Sequence, residues 1–207
     1  TRIPNSVRTA IAKLEVGGGE NNPDINPNWG EPDMTIAERV FASNTFEIRA
    51  FETGNPQSPA NAIPPSAVVF GHLRYVVGTD INQLMPLLRA HLDKHGFSDI
   101  TIISERDPMH ATRLDPDHPW AKWAIQSLEK TADGEIAVVP NLGGSLPNDV
   151  FADLLGLPTI WVPHSYAGCS QHAPNEHILE SISKNALRLM TGLWWDLGEG
   201  NTPRQIS

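Results

Sequence analysis

Three histidines (His164, His172 and His177), the one cysteine (Cys169) and Glu176 fall between residues 164 and 177. Such side chains can ligate a metal, or pair a thiol with an imidazole for nucleophilic attack. His172 and Glu176 lie four apart in Gln171-His172-Ala173-Pro174-Asn175-Glu176, and on a helix they would share a face. Pro174 argues against that, because it disfavours helical geometry at Ala173. His172 is therefore expected in a loop, with Pro174 and Asn175 setting up a helix start and Glu176 in the first turn. A neutral imidazole on a loop is a common zinc ligand; the alternative is a hydrogen-bonded loop histidine. Cys169, three residues before His172, is either half of a Cys-His pair or a small buried hydrophobe. A local metal site from His164, Cys169, His172 and His177 matches no zinc-binding spacing.

Three further places could meet an anion. Gly143-Gly144-Ser145 offers backbone N–H groups and a hydroxyl between an apolar run and a helix-like segment, as an anion cradle or a plain turn. Arg74 shares a strand face with Val68, Phe70, His72 and Val76. An arginine there needs an anionic partner, either an internal carboxylate or a substrate's. Asn61, in Asn61-Ala62-Ile63-Pro64, is a polar contact or a turn residue.

The elements that must hold these residues follow from the hydrophobic pattern. Apolar runs 136–140 and 158–163, with a helical stretch between them ending at Gly156, read as a β-α-β unit. Ligands gather on the loops leaving the carboxyl ends of such strands, where both unusual loops sit. Upstream, 5–15 carries Val7, Ile11 and Leu14 at helical spacing behind a capping Asn5 or Ser6, and Gly17-Gly18-Gly19 ends it. An irregular loop over 20–32, anchored by Trp29, precedes a helix over 35–42 with Thr35 and Glu38 as capping box. Strands are expected at 45–52, 67–77 and 99–104. A long turn occupies 54–65, and a helix over 80–96 has Leu84, Leu88 and Leu92 on one face, with Pro86 an awkward fit. Residues 106–117 mark a domain boundary. Beyond it come a helix opening at Pro119, with Trp120, Ala124, Ile125 and Leu128 on its core face, and the β-α-β unit. A closing helix over about 176–197 has the stripe Ile178, Ile182, Ala186, Leu189, Leu193 and Leu197, and 198–207 is a loose tail.

Composition bounds the possibilities. With 40% hydrophobic and 19% charged residues among 207, the chain has the make-up of a globular protein of one or two domains. A net charge of −9 without Lys/Arg clusters argues against nucleic acid and anionic membrane as partners. No apolar run approaches the ~20 residues of a membrane span. One cysteine permits no internal disulfide, so a cytoplasmic location is expected. Thr1-Arg2-Ile3-Pro4 is no signal peptide, and without an initiating Met the true start is expected upstream.

The order of these signals is more specific than any one of them. Asn61-Ala62-Ile63-Pro64, Leu73-Arg74-Tyr75, Gly143-Gly144-Ser145 and His172-Ala173-Pro174-Asn175-Glu176 together resemble the co-catalytic di-zinc exopeptidase family. Its members include carboxypeptidase G, acetylornithine deacetylase, succinyl-diaminopimelate desuccinylase and carnosinase-type dipeptidases. The resemblance covers about 40–198, and Gly143-Gly144-Ser145-Leu146-Pro147 looks most like the dipeptidase branch. It implies an α/β chain in two parts: 1–105, part of a ferredoxin-like lid that dimerises, and 106–207, the C-terminal segment of a catalytic domain. It also implies that His172 is a ligand of the second of two zinc ions. Arg74 and Asn61 would reach the substrate carboxylate, and Gly144 and Ser145 would line the same pocket. The implied reaction is hydrolysis of a small peptide or N-acyl amino acid by zinc-bound hydroxide, with a glutamate as general base.

The family's other metal ligands and its base have no match in this sequence. The chain is thus expected to be the second half of such an enzyme, inactive alone, and to associate as a homodimer or with the missing N-terminal half. The alternative is a noncatalytic dimerisation or binding module, or a proteolytic fragment.

Overall fold

The computed structural model describes residues 2–17, 24–104, 108–132, 134–200 and 202–203. The chain is mixed α/β, as expected, and divides into two compact units: Ser43–Asp107, and Arg2–Ala42 together with Pro108–Ser207. The expected division at 105/106 counted residues 2–42 with the lid, whereas their contacts group them with the C-terminal part. Residues 18–19 of the expected glycine stop, 20–23 of the loop, 106–107 of the boundary, and 201 and 204–207 of the tail lie outside the described residues.

In the larger unit, helix α1 (Asn5–Ile11) packs on α2 (Ile36–Ala42). Their core is Ile3, Val7, Ile11 and Ala42, flanked by Leu14, Met34, Ala37 and Phe41. α1 begins at Pro4 with no side-chain cap, in place of the expected Asn5 or Ser6. α2 has the expected capping box: the Glu38 N–H donates to Thr35 Oγ1 (3.2 Å), and the Thr35 N–H donates to Glu38 Oε2 (2.9 Å). Helix α4 (Pro119–Thr131) starts on Pro119 as the sequence suggests, with His118 Nδ1 accepting from the Trp120 N–H, and it buries Ala124, Ser127 and Leu128. It packs on α5 (Glu180–Gly198), aided by the Lys130–Asp196 ion pair at 2.9 Å and by Arg188 donating to the Thr131 carbonyl at 2.5 Å.

The β-α-β expectation is corrected. Runs 136–140 and 158–163 form no strand and pair with nothing among the described residues. Between them stands a single wide turn, Val150–Leu154, closed by left-handed Gly156 (φ +64°) and by the Leu157 N–H on the Phe151 carbonyl. Parallel strands are stable when both faces are covered. Here Val139, Leu142, Leu154, Leu157 and Trp161 stay exposed.

In the smaller unit, β1 (Thr45–Thr53) and β2 (Ala67–Arg74) form an antiparallel pair, with register running from Thr45 opposite Arg74 to Thr53 opposite Ala67 and a bulge between Ile48 and Ala50. The Phe46 ring lies across Gly71, where an added Cβ would come within 2.5 Å of it. Both faces are open, with Phe46, Ile48, Val68 and Phe70 exposed, so the expected half-buried strand lacks a covering layer. Helix α3 (Ile81–Lys94) is capped by Asp80 and runs unbroken through Pro86. Arg89 pins the reversal after it, donating to the Ile100 and Phe97 carbonyls and to Asp93. The expected strand 99–104 does not form: Asp99 belongs to a turn, and 100–104 pair with no strand among the described residues. Without a neighbour, its N–H and C=O groups have no ladder to join. Among the described residues no helix is long and apolar enough to cross a membrane.

Candidate functional site

Residues 164–177 form a closed loop. The 3₁₀ turn Ala167–Cys169 opens it, and the Cys169 carbonyl accepts from the His177 N–H at 3.0 Å. The Ala173 N–H bonds back to the Ser170 carbonyl at 2.9 Å. Tyr166 and His177 clip the loop from the side. His177 Nδ1 lies 2.7 Å from the Asn175 carbonyl, so it carries the proton, and Nε2 is left to accept from the Tyr166 hydroxyl at 2.5 Å. The apolar residues 158–163 feed the loop, and α5 leaves it.

Three non-glycine residues here have left-handed backbone: Ser170 (φ 57°), His172 (φ 61°) and Asn175 (φ 63°). Each conformation costs on the order of 1 kcal/mol or more and persists only where its surroundings enforce it. Glu176 helps: its Oε2 accepts from the His172 backbone N–H at 3.2 Å. This corrects the expected helix start, because α5 begins four residues later, at Glu180. With Asn175 left-handed, residues 175–177 cannot continue a right-handed helix. The loop reading of His172 holds. Its side chain is exposed, and among the described residues no hydrogen bond or ion pair engages the imidazole, unlike the locked ring of His177.

Cys169 is buried, and its Sγ accepts from the Ser165 hydroxyl at 3.2 Å. That bond holds the thiol below its ordinary range, against burial, which pushes it up. No histidine bonds to the thiol, so the Cys-His pair does not form. Nor do His164, Cys169, His172 and His177 converge: among the described residues no three His, Cys, Asp or Glu side chains could together hold a metal. A zinc site takes at least three protein ligands. The chain's own donors do not make one here.

Gly143-Gly144-Ser145 is exposed and held at both ends. Asn141 Nδ2 donates to the Phe41 carbonyl (2.6 Å), while Asn148 Nδ2 donates to Thr112 Oγ1 (2.6 Å) and its Oδ1 accepts from the Trp161 indole (3.1 Å). Sequence reasoning missed these two asparagines and Tyr166; the only signal for the former was an asparagine on either side of the glycines. Neither glycine has positive φ, and a Cβ on Gly144 would touch nothing, so no turn in this chain requires them. The anion cradle at a helix start is not built. Val150–Leu154 is too short, and Asp149 and Asp153 sit at its beginning.

Arg74 takes an internal carboxylate: its Nε lies 3.6 Å from Glu47 Oε2, diagonally across the strand pair, and makes no hydrogen bond. Asn61 is exposed in the connection between β1 and β2, which leaves the hairpin at the end opposite Arg74. No hydrogen bond joins the two. Two open recesses in the larger unit, of 490 and 290 Å³, contain none of these residues; the larger is lined by Thr131, Lys184, Arg188 and Trp195.

No family model matches the sequence, and no curated protein matches it. Among solved structures the chain is similar to an M20 family metallo-carboxypeptidase from Sulfolobus solfataricus, with a TM-score of 0.71 and 23% identity. The match covers 93% of this chain and 45% of that one, so this chain spans about half the length of its structural relative. At this identity the likeness is one of fold, and the fold is that of part of an M20 family metallo-carboxypeptidase.

Proposed function

We propose that this chain is the C-terminal part of a zinc-dependent hydrolase of the M20 peptidase kind. Its substrates are small, carboxylate-bearing peptides or N-acyl amino acids, and its activity is dipeptidase-like. The observation that carries the reading is the fold match along 93% of the chain; it agrees with the order of motifs read in the sequence. In this reading His172 supplies one ligand to a centre whose other ligands lie outside these 207 residues. Its strained, closed loop holds an unengaged imidazole outward for that purpose. When bound, zinc would supply activated water for the amide bond. Arg74 and Asn61 bind the substrate carboxylate, the former by exchanging its loose contact with Glu47, and Gly144 and Ser145 line the pocket. The unit Ser43–Asp107 serves as the lid, and the protein associates through it or through the remainder of the catalytic domain.

A noncatalytic binding module is the second reading, favoured by the single candidate ligand. Expressing the gene from its own start and assaying dipeptides and N-acyl amino acids separates the two. An active metalloenzyme about twice this length, losing activity with His172→Ala, supports the hydrolase; an inactive product near this length supports the module. In the active protein, Arg74→Ala should weaken substrates with a free carboxylate by about 2–5 kcal/mol and amidated ones much less. Equal losses on both would make Arg74 structural.

A further inference from the structure

Two histidines four residues apart close α3: His91 lies in its last turn, and His95 is the residue that caps its C-terminus. Their ring centroids are 4.5 Å apart, with planes tilted by 43°. Both side chains are exposed, and neither ring is engaged by a hydrogen bond or ion pair among the described residues. The helix fixes them on one face, because the His95 N–H still bonds to the His91 carbonyl at 3.2 Å. Gly96, left-handed at φ +83°, ends the helix directly after them.

From this geometry we propose that His91 and His95 form a bidentate site for a borderline divalent ion of the late first transition row that takes ligands at about 90° to one another, Ni²⁺ or Cu²⁺. Paired histidines at this helical spacing are a known way to hold such an ion. With metal–nitrogen bonds of about 2.0–2.1 Å, two imidazoles in neighbouring positions on one ion hold their centroids roughly 4.5 Å apart, the separation found here. The helix C-terminus adds its partial negative charge, which favours a cation. Asp93, between the two histidines in sequence, is engaged by Arg89 at 2.7 Å, so the proposed protein ligands are the two imidazoles and water completes the shell. The site is separate from His172 and does not depend on the proposed hydrolase.

The test uses Ni²⁺ and the full 207-residue chain. Substoichiometric Ni²⁺ should broaden the ring proton resonances of His91 and His95 together, before those of the other histidines. Calorimetric titration should show His91→Ala and His95→Ala each weakening the binding by about tenfold or more, at least the loss that changes around a metal site produce. His110→Ala should leave it unchanged. His91→Ala improves local helix propensity, and circular dichroism checks the fold of both variants. Broadening that begins at another histidine, or affinities in the two variants within about twofold of the parent chain, would overturn the proposal. So would the absence of Ni²⁺ binding.

Discussion

Two apolar regions of the larger unit meet opposite fates. Around α1 and α2, Val7 and Ile11 are each 1% exposed, closed in by Ile3, Ala42 and Phe41. Along 136–163, Leu142 is 70% and Leu154 78% exposed, in a stretch no less hydrophobic. The difference is supply of partners. Residues 2–42 contain both halves of their own core, two short helices with facing stripes. The apolar runs of 136–163 are strand material, and a strand of a parallel sheet needs a hydrogen-bonded neighbour and cover on both faces. The solved structure that this chain is similar to is matched over 45% of its own length.

The contrast can be broken by mutation. Ile11→Ala should cost about 2–4 kcal/mol in the local opening of α1, through lost burial and a cavity, read by amide hydrogen exchange. A cost below 1 kcal/mol would mean that the α1–α2 core does not hold this unit. Thr35→Ala removes one arm of the α2 capping box and should cost about 1 kcal/mol by the same measurement; no change in α2 protection would show that the helix rests on packing alone.

Glu38 sharpens the comparison through pH. The Thr35 backbone N–H, and less strongly its hydroxyl and Arg8, hold the Glu38 carboxyl below its ordinary value against burial. A depressed carboxyl stabilises the fold above the unfolded-state value, and that contribution is lost as pH falls through the folded-state value. Glu38→Gln should therefore be less stable than the parent chain at pH 7, with the gap closing below the ordinary carboxylate range. A gap independent of pH would assign the loss to geometry instead of charge. The smallest effect is expected at Leu154→Ala, within about 0.5 kcal/mol in this chain because the side chain is already in water. In a longer protein that covers this surface, the same change should cost a few kcal/mol. Equal, small costs in both would show that the 136–163 surface stays open.

By itself the sequence determined what is local. Periodicity placed α3, α4 and most of α5, and Pro119 marked the first turn of α4. Thr35 and Glu38 named their own capping box, and alternation marked β1 and β2. Pro174 put His172 in a loop. These follow from contacts within a few residues, which each segment carries with it. Tertiary structure decided what depends on distant partners. Only Glu47, across the strand pair, shows where Arg74 rests, and only Phe41, Thr112 and Trp161 show what holds the Gly143–Ser145 loop. The left-handed backbone at Ser170, His172 and Asn175 was also hidden, since it is imposed by the Tyr166, Cys169 and Glu176 hydrogen bonds and moves the start of α5 from 176 to 180. Runs 99–104, 136–140 and 158–163 read as strands because their side chains suit a sheet, yet a strand exists only where a second chain segment accepts its hydrogen bonds.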